Sequence, residues 1–113
     1  MPLVKIELLK GKSAEYKKTL LESVHKGLVE SLDIEDWDRF QRISEYDKAD
    51  LEFQDFKSDN FMIIELTIFP GRTSEQKQCA ITAIKNNLSS NLKIDPKDVF
   101  IVINDPPREN WSI

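Results

Sequence analysis

The feature that most limits what this chain can fold into is a repeat with a constant offset of sixty residues. Leu3-Val4-Lys5-Ile6-Glu7-Leu8-Leu9 aligns without a gap on Ile63-Ile64-Glu65-Leu66-Thr67-Ile68-Phe69, and Gly11-Lys12-Ser13 aligns on Gly71-Arg72-Thr73. Glu15, Lys17, Leu28, Leu32, Ile34, Asp38, Phe40 and Ile43 recur unchanged as Glu75, Lys77, Leu88, Leu92, Ile94, Asp98, Phe100 and Ile103. Identity between the copies is low, but their apolar positions match throughout, so one supersecondary unit is written twice. The copies run from about 2 to 45 and from 62 to 105. Together they predict a single domain spanning residues 1–113.

Each copy reads as strand, helix, strand. Val4, Ile6 and Leu8 share one strand face, as do Ile64, Leu66 and Ile68 in the second copy. A glycine turn follows, then a hydroxyl residue, Ser13 or Thr73, placed to cap a helix. Thr73-Ser74-Glu75-Gln76 has the form of a capping box. Spacing by four puts Leu20, Val24, Leu28 and Leu32 on one helix face, and likewise Ala80, Ile84, Leu88 and Leu92. A second strand begins near Phe40 and near Phe100. Strand–crossover helix–strand order means parallel pairing within each unit. The predicted fold is therefore α/β, a two-layer α+β sandwich: a tandem β-α-β repeat with a four-stranded mixed sheet and both helices on one face. On the uncovered face we place Ile63, Phe69, Ile101 and Ile103. An apolar face without a covering layer predicts a homo-oligomer. Residues Tyr46 to Asn60 read as a polar connection with a short strand around Leu51–Phe53. The tail from Asp105 to Ile113 reads as a turn followed by an extended piece.

Composition excludes several function classes. The chain has 16 Lys and Arg against 20 Asp and Glu, with the two signs interspersed. That pattern lacks the basic stripe a nucleic-acid surface needs. One cysteine, Cys79, and one histidine, His25, allow no disulfide framework, thiolate zinc cluster or His-rich metal site. No apolar run approaches the ~20 residues of a membrane span. The N-terminal stretch does not read as a signal peptide, so the expected location is cytoplasmic, away from membranes.

The places where the copies differ hold the candidate chemistry. Pro2 stands where the second copy has Met62. Removal of Met1 would expose a secondary amine at a strand end. An α-amino group titrates near ~7.7–8.0, and burial or a nearby cation lowers that value towards a neutral general base. From position alone, Pro2 is also readable as a second residue that leaves a strand edge unpaired. Arg72 replaces Lys12 at a loop tip, where a guanidinium can grip a carboxylate through two bonds or simply lie in solvent. Asp38 precedes the second strand. Because Asp98 matches it, a structural role for both aspartates stands beside a catalytic one. Trp111, in the tail, is a pocket wall or a packing aromatic. His25 and Cys79 lie within helices of different copies and form no nucleophilic pair, and Trp37 reads as loop packing.

A doubled β-α-β unit opening on proline resembles the tautomerase superfamily. Four segments carry the likeness: Pro2-Leu3-Val4-Lys5, Asp38-Arg39-Phe40-Gln41, Arg72-Thr73-Ser74-Glu75-Gln76-Lys77 and Asn110-Trp111-Ser112. Together they look like the malonate semialdehyde decarboxylase branch. The resemblance implies a cofactor-independent enzyme acting on small carboxylic acids and assembled as a homotrimer. It implies Pro2 as the acid–base group, Asp38 as its assistant, Arg72 as the carboxylate ligand and Trp111 as an apolar wall. The pattern departs in the loop Phe69-Pro70-Gly71-Arg72, where the branch carries a second arginine two residues before the one matched by Arg72. It departs again at Ile113, where the branch has an aromatic, and in the apolar segment that follows in relatives. Loss of one arginine favours tautomerisation of 2-oxo and enol acids, with decarboxylation or hydration as the alternative. A non-catalytic oligomeric ligand-binding module is the rival from another class.

Overall fold

The computed structural model describes residues 2–113, so the expected removal of Met1 concerns a residue outside the described ones. Strand β1 (Pro2–Leu9) leads into helix α1 (Ala14–Leu32) and strand β2 (Gln41–Tyr46). Strand β3 (Met62–Ile68), helix α2 (Ser74–Leu92) and strand β4 (Val99–Asn104) repeat the unit. The glycine turns have the same conformation in both copies, with φ of 116° at Gly11 and 118° at Gly71, a region that L side chains rarely enter. Ser13 accepts from the Tyr16 backbone N–H, and Thr73 and Gln76 close the capping box. Both helices end on a left-handed residue with φ of 57°, Asp33 and Lys93. The offset extends even to an ion pair. Lys17 meets Glu45 at 2.7 Å, and Lys77 meets Asp105 at 2.7 Å.

The strands form one sheet in the order β2-β1-β3-β4. Pairing is parallel within each unit and antiparallel at the centre, between β1 and β3. In that central pair Lys5 lies opposite Glu65, its own counterpart sixty residues on. A pseudo-twofold axis therefore passes between them, and Pro2 and Met62 fall at opposite ends of the sheet. Pro2 pairs with Ile68, at the end of β3, so the start of copy one lies beside the glycine turn of copy two.

Both helices pack on one sheet face. Val4, Ile6, Leu8, Ile64, Leu66 and Ile68 meet Leu20, Val24, Leu28, Ala80, Ile84 and Leu88 there, all with at most 1% exposure. Each fully buried leucine or isoleucine contributes about 1.5–3 kcal/mol. Leu92 lies at the fringe of this core and is only partly buried.

Three expectations are corrected. Ile101 and Ile103 face the helices, because Ile101 pairs with Ile64 and Ile103 with Leu66. The continuous apolar run of β4 gave no alternation from which to read its phase; the register with β3 supplies it. Phe100 and Val102, 57% and 41% exposed, take their place on the uncovered face beside Leu3 and Ile63. No strand forms at Leu51–Phe53; that connection is irregular, with Phe53 stacked on Phe61 at 4.7 Å. Trp37 does not pack within the chain and is 77% exposed.

Candidate active site

The antiparallel centre of the sheet decides what can meet what. At one end lie the start of β1, the entry to β2, the end of β3 and the end of β4. The C-terminus of α1 and the N-terminus of α2 reach the same end. Pro2 is buried there, in register with Ile68. Four residues beyond Ile68 is Arg72, half-buried, whose Nη2 donates to the Leu32 carbonyl at 3.0 Å. Leu32 closes α1, so this bond satisfies one of that helix's orphan carbonyls and holds the guanidinium at the Pro2 end. A guanidinium has five N–H donors, and this bond uses one.

Asp38 approaches from the other side. The Val4 N–H donates to the Phe40 carbonyl at 2.8 Å and Val4 pairs with Gln41, which brings residues 38–40 alongside the start of β1. Asp38 is half-buried, and its own N–H donates to the Glu35 carbonyl at 3.0 Å. Asp98, its counterpart, is at the opposite end and serves the fold. It is 5% exposed, accepting from the Ser58 N–H at 3.0 Å and from the Ser58 hydroxyl at 2.5 Å. The two aspartates matched in sequence therefore have different surroundings.

Trp111 completes this end. Its indole N–H donates to the Pro106 carbonyl at 3.1 Å, and its ring meets Phe69 edge-on at 4.7 Å. Phe69 directly follows Ile68, the partner of Pro2. Arg108 also lies here, with its guanidinium carbon 3.7 Å from the centre of the Phe69 ring. Sequence reasoning passed over Arg108 because it has no counterpart within the repeat. The one available signal was a cation three residues before Trp111.

The opposite end, around Met62, has a different character. Lys12, the counterpart of Arg72, donates to Asn60 Oδ1 at 2.6 Å. Asp98 is bound to Ser58, as above. On the helices, His25 of α1 is 2% exposed with its Nε2 2.8 Å from the Asp36 carbonyl, in the loop that leads to Asp38 at the Pro2 end, while Cys79 of α2 is exposed. Among the described residues, no group of three or more His, Cys, Asp and Glu side chains could hold a metal ion. Nor is any helix there long and apolar enough to cross a membrane.

A family model described as tautomerase enzyme matches residues 38–113, and a second of the same description matches residues 2–56. The probable tautomerase YusQ of Bacillus subtilis is 30% identical, over 99% of this chain and 92% of its own length. The probable tautomerase YrdN of the same organism is 26% identical over 99% of this chain and 90% of its own. Among solved structures, a malonate semialdehyde decarboxylase inhibited by 3-bromopropiolate superposes with a TM-score of 0.89 at 33% identity, covering 98% of this chain and 88% of the other. A protein inactivated by 2-oxo-3-pentynoate superposes with a TM-score of 0.86 at 25% identity, covering 98% and 90%. The chain belongs to the tautomerase family of enzymes.

Proposed function

We infer that this chain is a cofactor-independent tautomerase of small 2-oxo and enol acids, with one active site per chain at the Pro2 end of the sheet. The observation that carries this reading is the central register. Pairing of Pro2 with Ile68 brings the start of copy one beside the arginine loop of copy two. The chemistry follows from the residues gathered there. With Met1 removed, Pro2 bears a secondary amine at the end of a rigid strand. Burial of Pro2 and the nearby guanidinium groups disfavour its protonated form, which makes it a general base near neutral pH. The amine takes the proton from the 2-hydroxyl of an enol acid as the C2–O double bond forms. A proton is then delivered to C3, so no atom is gained or lost. Arg72 binds the carboxylate, and a fork donor suits that planar anion. Asp38 assists the proton transfer, and Trp111 with Phe69 provides an apolar wall.

A second reading keeps the same site. Decarboxylation or hydration of small 3-oxo or unsaturated acids is favoured by the 33% identity with a malonate semialdehyde decarboxylase and by Arg108, a second cation at this end. We also infer a homotrimer. The uncovered sheet face carries Leu3, Phe100 and Val102, which need a partner layer. Proteins of this fold at 18% identity form trimers.

The test is kinetic. Enol-to-keto conversion of phenylpyruvate and 2-hydroxymuconate is expected for the Met-processed chain and lost in Pro2→Ala. Equal activity in the variant removes Pro2 from the mechanism. Product analysis with malonate semialdehyde and a 3-haloacrylate separates the two readings.

A further inference from the structure

His25 is the most deeply buried polar ring in the chain, and the proposed chemistry makes no use of it. It projects from α1 towards the loop that carries Asp38. Its Nε2 lies 2.8 Å from the Asp36 carbonyl and 3.4 Å from Asp36 Oδ1. A carbonyl can only accept, so Nε2 carries the hydrogen and donates. The same carbonyl accepts from Arg39 Nε at 3.2 Å. Arg39 is in turn anchored to α1, donating through Nη1 to Glu22 Oε1 at 2.8 Å, with Nη2 3.5 Å from Asp36 Oδ1. Asp38 stands between the two anchored residues, Asp36 and Arg39.

The repeat supplies an internal control. Sixty residues on, the positions of Glu22, His25, Asp36 and Arg39 hold Thr82, Lys85, Pro96 and Val99, which cannot build this network. Copy two holds its own aspartate instead by direct bonds to the carboxylate from Ser58. Copy one thus anchors the loop at the neighbours of Asp38, through Asp36 and Arg39. The network stands in the copy that carries Pro2.

We propose that His25 is a positioning residue for the active site: it latches the Asp38 loop to α1, with Arg39 and Glu22 as the outer half of the latch. The inference rests on the tautomerase reading for its kinetic consequence but not for its structural one. The latch predicts that loss of the Nε2 donor loosens residues 35–40 and lowers kcat, while a substitute donor restores both. Substrate binding through Arg72 is not part of the latch, so KM moves little.

The experiment compares wild type, His25→Leu, His25→Gln, Glu22→Gln and Pro2→Ala by kinetics and by amide hydrogen exchange of the peptide spanning residues 35–40. In His25→Leu the expected results are a roughly tenfold fall in kcat, a KM within about threefold and roughly tenfold faster exchange at the Asp38 amide. His25→Gln, which keeps an N–H donor, is expected within about threefold of wild type on every readout. In an Asp38→Asn background His25→Leu is expected to cost no further kcat, because both act on one group. Should His25→Leu not fold, Glu22→Gln, at an exposed side chain, carries the same test with a smaller fall. Wild-type exchange and kcat in a folded His25→Leu would overturn the latch, as would a His25→Gln variant as impaired as His25→Leu. Undiminished activity in Pro2→Ala would remove Pro2 from the mechanism, and a wild type that turns over neither enol acid would defeat the tautomerase reading alone, since the exchange arm does not depend on turnover.

Discussion

The two helices pack tightly at Gly27, against Ile84, and the contact yields a prediction whose sign depends on geometry. Replacing an interior helical glycine with alanine ordinarily stabilises by about 0.5–1 kcal/mol, through lower backbone entropy in the unfolded chain. Here a Cβ on residue 27 would lie 2.7 Å from Ile84 Cγ1, 3.1 Å from the Ile84 nitrogen and 3.2 Å from its Cα. Ile84 is fully buried, and a β-branched side chain in a helix has little rotamer freedom to move aside. Two of the three contacts are backbone, so relief requires α2 to shift. Overpacking of this kind costs about 1–3 kcal/mol. Set against the propensity gain, Gly27→Ala is expected to destabilise by about 1–2 kcal/mol. Urea unfolding at fixed chain concentration checks this. With a slope of about 2 kcal/mol per molar, the midpoint falls by roughly 0.5–1 M and the slope is unchanged. Ile84→Ala alone costs about 2–5 kcal/mol. Because it removes Cγ1, the double variant should lose less than the two single losses combined. A raised midpoint in Gly27→Ala would refute the reasoning and show that the helices can separate without cost.

Other expectations follow from the divergence of the two copies. Asp98→Ala should cost about 2–4 kcal/mol of stability, because a buried carboxylate with two bonds to Ser58 is lost, and leave turnover nearly unchanged. Asp38→Asn should do the opposite, lowering kcat by about a hundredfold or more with a smaller loss of stability, as read by kinetics and urea unfolding together. Arg72→Lys keeps the charge but loses the fork, and should raise KM about tenfold; Arg108→Gln should raise KM with little change in kcat. The Lys77 ammonium, hydrogen-bonded to Asp105 at 2.7 Å, holds that carboxyl below its ordinary value of 3.8. A folded value below the unfolded one means that the pair stabilises fully above the unfolded value and loses this as pH falls through the folded value. Asp105→Asn should therefore be less stable than wild type at about pH 7 and equal to it at about pH 2 by thermal unfolding.

Much of this architecture is legible in the residues themselves. Alternation in β1 and β3 names the helix-facing side correctly, since Val4, Ile6 and Leu8 are buried as their spacing requires. The caps are legible down to the atom, because a hydroxyl before a helix has one purpose that geometry readily satisfies. Strand β4 is apolar on both faces, and its phase appears only when Ile101 meets Ile64. The location of the Pro2 end follows from the antiparallel register of Lys5 with Glu65, a long-range pairing that neither copy encodes alone. The contrast between Asp38 and Asp98 was hidden for a similar reason. Ser58, which binds Asp98, belongs to the connection outside the repeat. His25 reads in sequence as one more helix residue, and only the fold brings it against the Asp36 carbonyl.

The central claim is that each chain has a single reactive amine, at Pro2, beside arginines that bind a carboxylate. Incubation with 2-oxo-3-pentynoate, an electrophilic 2-oxo acid that inactivates a protein of the same fold at 25% identity, tests it directly. Intact-mass and peptide analysis should find a chain without Met1, modified once, with the adduct on the Pro2 nitrogen and turnover lost in proportion to labelling. A retained Met1, or inactivation with the adduct on another residue, would contradict the account.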